Sequence, residues 1–265
     1  MPSFDEFERE QAIMLELDSA GRVTVNELAS KFGVSTVTIR KDLDTLERRS
    51  MLRRVRGGAV SAGTTDEGAF QTRLRHSVAA KQAIARAAAA LVHHGDVIAI
   101  DSSSTCYYLA QEIVGRRNLV VVTNGMRTAT LFMEQSSALV LMPGGVLRRS
   151  AASMVGQVGD ILAGRGRVGK GFFGVAGLSI ERGLMDVAVE EAQAKSYLVS
   201  ACDEVYGLFD SSKVGRFALH SFVSTDRVDA LYTDDAIDPA AVEAWTAAGV
   251  PVHTVPVLTA AEGTA

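Results

Sequence analysis

Two groups of residues in this chain have side chains suited to holding negatively charged ligands. Between residues 31 and 60, eight lysines and arginines stand against three acidic residues, although the whole chain has a formal net charge of −4. Such a local excess of positive charge is typical of a surface that binds nucleic-acid phosphates. In the longer C-terminal part, stretches rich in hydroxyls, amides and glycine follow apolar runs. These groups are suited to phosphates and sugar hydroxyls.

The spacing around the basic residues predicts two short helices and a hairpin. Thr24 and Glu27 form a capping-box pair at the start of the first helix, and Gly33 ends it. Ser35 caps the second helix, whose apolar residues recur at helical spacing and form a buried stripe. That stripe consists of Ile39, Leu43 and Leu46. Because only a few residues separate the two helices, the pattern predicts a helix-turn-helix.

The polar face of the second helix lies opposite the buried stripe, and Val37 lies beside this face. Residues of this face are predicted to contact DNA. The N-terminal residues of such a helix reach base edges. A basic hairpin at residues 52–60, in which Gly57 and Gly58 follow the arginines, suits a β-wing on the DNA backbone. The alternative, a solvated charged helix end, does not explain why cap, turn, stripe and basic hairpin occur together. The predicted DNA-binding residues are Ser35, Thr36, Thr38, Arg40, Lys41, Thr45, Arg48, Arg53, Arg54 and Arg56.

Residues 21–60 resemble the N-terminal signature of the DeoR family of bacterial transcriptional regulators. The motifs VS, TIR, DL, LE, LRR and GGA stand in this stretch at the family's spacing. Two positions depart from the family pattern, because Ser50 replaces a frequent glycine and Arg56 a frequent histidine. The resemblance implies a small winged helix-turn-helix domain that binds an operator in double-stranded DNA.

After the polar segment 61–68, apolar runs alternate with helical patterns, beginning with a predicted helix at Ser77–His94. Continuous apolar runs separated by helices indicate a parallel sheet that is covered on both faces. The runs are residues 97–101, 119–123, 138–142, 171–175, 205–209, 230–233 and 252–255. The sequence therefore predicts a larger α/β domain with a mostly parallel sheet.

Polar residues after these runs predict a binding site, because ligands of such sheets lie at the carboxyl ends of the strands. At any single position an ordinary capped loop is the alternative. Polar residues follow five strands whose ends converge, and Lys195 and Lys213 add positive charge. Together they indicate that the ligand is a phosphorylated polyol. The candidates from this argument are Ser102, Ser103, Ser104, Thr105, Thr123, Asn124, Gly144, Gly145, Lys195, Asp210 and Lys213.

Residues 81–234 resemble the DeoR C-terminal sensor, which is similar in fold to ribose-5-phosphate isomerase and glucosamine-6-phosphate deaminase. Motifs that include FFGVAGL, EEAQAK and FDSSKVG occur in family order. The resemblance implies that the phosphate is held near residues 101–105, which begin with Asp101. It also implies that Asp186, Glu191, Lys195, Asp210 and Lys213 face the sugar or order the site. Ser103 replaces a common family glycine, which implies either a different effector or weaker phosphate binding.

Other chemistries have little support in the sequence. No glycine-rich stretch has the spacing of a dinucleotide or P-loop motif, and residues 164–171 suit a mobile connection. His93 and His94 lack neighbouring ligands at metal-binding spacing, so no metal and no cofactor are predicted. Cys106 and Cys202 are most simply small apolar residues, with a reactive thiol at Cys106 as the alternative. No apolar run is long enough to cross a membrane, and a cytoplasmic protein is expected.

These observations predict a two-domain regulator rather than an enzyme. The predicted parts are a winged helix-turn-helix at residues 1–60, a linker at 61–75, an effector-sensing and oligomerisation domain at 76–258, and a flexible tail at 259–265. The predicted function is repression of a carbohydrate or nucleoside operon, relieved by a phosphorylated sugar, in a homo-oligomer. The alternatives are a transcriptional activator and a sugar-phosphate isomerase or deaminase with an added DNA-binding head.

Overall fold

The computed structural model describes residues 6–20, 22–48, 51–61, 70–156, 167–216 and 218–257. The chain forms two compact units, Met1–Asp66 and Glu67–Ala265. The predicted tail and residues 62–69 of the predicted linker lie outside the described residues. Within the part of the chain that is described, no helix is long and apolar enough to span a membrane.

The first unit is a three-helix domain with a small antiparallel sheet, ordered β1-β3-β2. Both predicted helices begin where the sequence predicts, and the first of them ends at Gly33 as predicted. The Thr24 hydroxyl accepts a hydrogen bond from the backbone of Glu27, and Gly33 takes the left-handed conformation with φ 67°. The elements are α1 (Glu6–Ala20), β1 (Arg22–Thr24), α2 (Val25–Phe32), α3 (Thr36–Arg48), β2 (Leu52–Val55) and β3 (Gly58–Ser61).

The core of this unit includes a helix that the sequence analysis did not predict. Ile13 and Leu17 of α1 are buried in one cluster with Ile39, Leu43 and Leu46, the predicted stripe of α3. The wing that follows α3 is the predicted hairpin of β2 and β3. Gly58 must be glycine there, because a Cβ atom would lie 2.0 Å from the carbonyl oxygen of Val23.

A buried ion pair connects α1 to α3. The Arg9 guanidinium donates from Nε to Oδ2 of Asp42 at 2.6 Å and from Nη2 to Oδ1 at 3.0 Å. The Asp42 side chain is 1% exposed and that of Arg9 is 9% exposed. Bidentate pairs of this kind fix orientation as well as distance. The pair therefore sets how α3 is presented to solvent.

The second unit is built on a seven-stranded sheet in the order β15-β14-β12-β9-β4-β5-β6, with every neighbouring pair parallel. The central strands are β4 (Val97–Ile100), β5 (Val120–Thr123), β9 (Val168–Gly174) and β12 (Cys202–Leu208). The outer strands are β6 (Leu139–Leu141), β14 (Ala230–Asp234) and β15 (Val252–Val255). This confirms the predicted parallel α/β architecture.

Helices cover this sheet on both faces. Successive strand residues pack into different clusters, as Phe172 and Phe173 of β9 do, because side chains alternate along a strand. The helices are α4 (Phe70–Arg75), α5 (Val78–Ala89), α6 (Ser104–Ile113), α7 (Met126–Gln135), α8 (Val189–Ser200) and α9 (Pro239–Ala247).

Several local features differ from the predictions. The predicted helix at Ser77–His94 ends at Ala89, and α4 occupies the last residues of the predicted linker. The predicted mobile connection at 164–171 is strand from Val168 onward, while residues 164–166 lie outside the described part. A second sheet and a hairpin were not predicted. They consist of β10 (Gly177–Ser179), β11 (Gly183–Asp186), β13 (His220–Val223), β7 (Val146–Arg148) and β8 (Ser153–Val155).

Replacing Asp42 with asparagine tests the buried ion pair. Because Arg9 keeps its charge without a counter-charge, Asp42→Asn is expected to destabilise the first unit by about 3–5 kcal/mol. Hydrogen exchange of the α3 amides in the full-length protein measures this loss. Asp44→Asn is the control, because its solvent-exposed pair with Arg54 contributes less than about 1 kcal/mol. Equal protection of α3 in both variants would contradict the assignment.

Candidate functional site

The solvent-facing surface of α3 carries most of the predicted DNA contacts. Arg40, Lys41 and Arg48 are exposed, as is Ser35 just before the helix, while Thr36, Thr38 and Thr45 are half-buried. Val37 lies among them with 70% of its surface exposed. The structure therefore gathers these predicted residues on one accessible helix face.

Hydrogen bonds organise the hydroxyl groups of this face. Ser35 Oγ accepts from the Thr38 amide at 3.0 Å, as predicted for a cap, and lies 2.9 Å from Thr38 Oγ1. At the other end of α3, Arg48 donates from Nη2 to Thr45 Oγ1 at 3.1 Å. These side chains are held in place before any ligand binds.

The arginines of the wing have different surroundings. The Arg54 guanidinium donates to Asp44 Oδ1 at 3.0 Å and to the Gly58 carbonyl at 2.9 Å, so it ties the wing to α3. Arg56 is exposed next to the tight turn at Gly57, whose φ is 83°. The side chain of Arg53 lies outside the described part of the structure. Arg54 thus positions the wing.

In the second unit, a buried carboxylate accepts hydrogen bonds from side chains at or next to the ends of four strands, β4, β5, β7 and β8. Glu191 of α8 is fully buried. Its Oε2 accepts from Ser102 Oγ at 3.2 Å and from Asn124 Nδ2 at 3.3 Å, and its Oε1 accepts from Arg148 Nη1 at 2.8 Å. Ser153 Oγ also donates to Oε1. Ser102 and Asn124 were predicted to lie together, whereas Arg148 and Ser153 were not identified from the sequence.

One turn further along α8, Lys195 bridges two buried carboxylates. Its Nζ lies 3.0 Å from Asp101 Oδ2 and 2.6 Å from Asp186 Oδ2, and it donates to the Gly174 carbonyl at 2.8 Å. Lys195 also lies over the ring of Phe222, with Nζ 4.9 Å from its centroid. Three predicted residues, Asp101, Asp186 and Lys195, therefore form one ionic cluster.

The loop after β4 is shaped by hydrogen bonds within itself. Asp101 Oδ1 accepts from the amide of Ser103, and the Ser103 hydroxyl accepts from the amide of Cys106 at 3.2 Å. Ser104 and Thr105 are buried in the first turn of α6. The predicted hydroxyl run thus lies at a helix N-terminus, with Ser103 as the cap.

The neighbouring loop places Asn124 within this cluster. Thr123 Oγ1 accepts from the amide of Gly125 at 3.0 Å. Asn124 is fully buried, and its Oδ1 accepts no hydrogen bond from any residue that the structure describes. A buried acceptor is normally paired, so this oxygen points to a donor that a ligand supplies.

The predicted glycines have a structural role that is visible in the contacts. A Cβ atom at Gly145 would lie 2.2 Å from the Val155 carbonyl oxygen, and Gly144 has a φ of 80°. Both glycines therefore let the chain turn into the hairpin β7–β8, which carries Arg148 and Ser153.

A third group surrounds Lys81, a residue that was not predicted to belong to a site. Lys81 is 4% exposed, and its Nζ donates to the carbonyl of Arg73 at 2.6 Å. Burial lowers the pKa of Lys81 to about 8, with the Asp210 carboxylate raising it and the charges of Lys213 and Arg73 lowering it. The predicted residues Asp210 and Lys213 thus lie near a second, mainly cationic cluster.

The remaining reactive residue types have structural roles. His94 Nδ1 accepts from the Arg117 amide at 2.8 Å, and the His93 amide donates to Asp96 Oδ2. No group of metal ligands occurs among the residues described.

Burial raises the pKa of the Cys106 thiol well above its usual value, and the Asp101 charge adds to this shift. Burial likewise raises the pKa of Cys202 to about 12.

Family models match both units of the chain. Residues 9–65 match the DeoR-like helix-turn-helix domain, and residues 76–235 match the DeoR C terminal sensor domain. Among curated proteins, the chain is 32% identical to a putative aga operon transcriptional repressor of Escherichia coli O157:H7, over 94% of this chain and 93% of that protein. It is 29% identical to the L-fucose operon activator of Haemophilus influenzae, over 86% and 92% of the two chains.

Solved structures similar to this chain include a ribose 5-phosphate isomerase A from Methanocaldococcus jannaschii. The identity is 16% and the TM-score is 0.39, and the match covers 51% of this chain and 53% of that one.

Alkylation tests the burial of the two cysteines. Because the thiolate is the reactive form, the raised pKa values of Cys106 and Cys202 are expected to leave both unmodified by iodoacetamide at pH 8 in the folded protein. The same reagent is expected to modify both in urea, which is the control. Peptide mass spectrometry measures the modification, and rapid labelling of native Cys106 would restore the reactive-thiol hypothesis.

Proposed function

The chain belongs to the DeoR family of transcriptional regulators, and from that premise we propose that it represses a carbohydrate or nucleoside operon until a phosphorylated sugar binds its second unit. The observation that carries this proposal is the buried polar cluster around Glu191 and Lys195 at the carboxyl ends of the parallel strands. The similarity to one named repressor supports repression. The similarity to a named activator keeps activation as the alternative, since the sign depends on where the operator lies.

Operator binding is assigned to the exposed face of α3 together with the wing. The N-terminal turn of α3 is placed to reach base edges, and exposed Lys41, Arg48 and Arg56 are placed to reach phosphates. A single head reads only a short sequence. We therefore propose a homo-oligomer that presents two heads to two half-sites.

The charge of the buried cluster indicates which part of the effector it holds. Asp101, Asp186 and Glu191 carry three formal negative charges, against the two positive charges of Lys195 and Arg148. A phosphate dianion is repelled by such a net negative group, whereas sugar hydroxyls donate to carboxylates and to the Asn124 Oδ1 acceptor. We assign the sugar hydroxyls to this cluster.

The phosphate is assigned to the cationic group near Lys81. Burial disfavours the charged form of this ammonium and lowers its pKa to about 8. Among the residues that the structure describes, no carboxylate is hydrogen-bonded to it. An anion placed between Lys81 and Lys213 offsets that cost. Asp101 of the acidic cluster follows β4 and Asp210 of the basic one follows β12, and both strands pair with β9. One acidic and one basic cluster thus match the two ends of a phosphorylated sugar.

The enzymatic alternative has less support from the geometry. A general base needs a carboxylate that reaches the substrate proton. Glu191 already accepts four side-chain hydrogen bonds, and Asp186 pairs with Lys195. We therefore propose that these carboxylates bind and orient the sugar. Saturable product formation from a panel of pentose and hexose phosphates, lost in Asp186→Asn, would overturn this assignment.

The DNA interface is tested by a salt titration of operator binding. Lys41→Ala is expected to weaken binding and to lower the slope of log K against log salt by about one, because one phosphate contact is lost. Arg54→Ala is expected to weaken binding because it removes the proposed phosphate contact together with the hydrogen bond to the Gly58 carbonyl. Arg167→Ala, an exposed arginine of the second unit, is the control and is expected to bind normally. Unchanged affinity in both test variants would place the DNA on another surface.

The effector site is tested by the pH dependence of sugar-phosphate binding. A phosphate monoester is essentially doubly charged above pH 7, whereas Lys81 loses its charge as the pH rises through about 8. The affinity of a sugar phosphate that releases the operator is therefore expected to fall between pH 7 and pH 9. Calorimetry measures the affinity, and Lys81→Met is expected to remove the pH dependence.

Two further measurements complete this test. Lys170→Met is the matched control, because Lys170 pairs with Asp96 at the opposite end of the sheet. Operator DNA is also expected to weaken effector binding by the factor by which the effector weakens operator binding, since coupling is reciprocal. Equal effector affinity with and without operator would contradict the regulatory mechanism, even if the site binds sugar phosphates.

A further inference from the structure

Val37 is an apolar side chain on a surface that is otherwise polar. Within the described part of the first unit, it is the only large apolar residue that is exposed, at 70% of its surface. It is the second residue of α3, in the turn that faces the DNA in the proposed complex. In that complex its side chain can contact base edges, and it does not pack in the protein core.

Folding of the unit does not account for this residue. The buried stripe of α3 is already complete, with Ile39, Leu43 and Leu46 fully buried. Valine is also a less favourable helix residue than alanine or glutamate, because branching at Cβ restricts its side chain. A side chain that adds nothing to the core and costs a little helix stability is better explained by a contact outside the unit.

Two exposed cations flank Val37 on the surface of α3. Arg40 and Lys41 lie three and four residues further along the helix, on the same side, and both are exposed. Cations on either side of an apolar side chain can bind phosphates of the DNA backbone. The apolar side chain between them then faces the bases. Ser35 and Thr38 contact one another and the helix cap, so part of their hydrogen-bonding capacity is already used.

The chemistry of the major groove indicates what Val37 recognises. Among the base edges there, the apolar group is the C5-methyl of thymine, and apolar side chains recognise it by direct contact. We propose that Val37 packs against a thymine methyl in each operator half-site and so determines specificity at that base pair. This inference rests on the proposed operator binding by α3. The restricted rotamers of valine in a helix preset the contact.

The experiment removes the methyl group without changing any hydrogen-bonding group. DNA that the full-length protein binds is selected from a random pool, and each thymine of the selected site is replaced in turn by deoxyuridine. One position in each half-site is expected to lose about fourfold in affinity, the value of one buried methyl group. In Val37→Ala, the thymine and deoxyuridine sites are expected to bind equally at that position.

Two variants serve as controls. Met133→Ala changes an exposed apolar residue of the second unit, 74% exposed, and is expected to keep the full preference for thymine. Val37→Thr keeps the shape of the side chain and replaces one methyl with a hydroxyl, so it is expected to keep only part of the preference. Circular dichroism checks that each variant is folded.

The possible outcomes separate this inference from the proposed function. Equal binding of thymine and deoxyuridine at every position by the unmodified protein would overturn the role of Val37 but leave operator binding intact. A methyl effect that persists undiminished in Val37→Ala would assign the contact to another residue. Failure to select any DNA would overturn the proposed function, and this inference with it.

Discussion

The ion pairs of Lys195 with Asp101 and Asp186 are the interaction on which the second unit depends. All three side chains are nearly inaccessible to solvent, and a buried charge is tolerated only when it is paired and hydrogen-bonded. Lys195 comes from α8, Asp101 from the end of β4 and Asp186 from the end of β11. Pairing these charges therefore fixes α8 against the end of β4 in the parallel sheet and against β11 in the small antiparallel sheet. The same logic operates in the first unit, where the buried pair of Arg9 and Asp42 fixes α3 against α1.

The sequence was sufficient to predict the elements with strong local signals. The two central helices of the first unit begin at a capping hydroxyl and one ends at Gly33, because caps depend on residues only a few positions apart. The strands of the parallel sheet were predicted because each is a continuous apolar run. In contrast, α1 and the short strands β10, β11 and β13 have mixed polar and apolar residues. Their structure depends on tertiary contacts that no local pattern records.

The same distinction explains which site residues were found. Ser102 and Asn124 directly follow apolar runs and Thr123 ends one, so the rule that ligands bind at strand ends identified them. Arg148 and Ser153 belong to a hairpin that folds back over the strand ends, and their contact with Glu191 joins residues about 40 positions apart. Lys81 lies in an alanine-rich helix, where a single lysine resembles an ordinary solvent-facing residue. Its burial was visible only once α4 and α5 were placed together.

Ser103 shows how a departure from a family pattern is accommodated. Its φ of −71° and ψ of 154° are open to any residue, so the backbone does not require glycine at this position. A Cβ atom on Gly174 would lie 2.3 Å from Cβ and Oγ of Ser103. Ser103 therefore fits only because residue 174 is glycine. The hydroxyl then accepts the hydrogen bond of the Cys106 amide, which removes that donor from any ligand at the start of α6. With that amide occupied and the Asp101 carboxylate in the same loop, the loop offers little to an anion. This supports the assignment of the phosphate to the separate cationic group of Lys81 and Lys213.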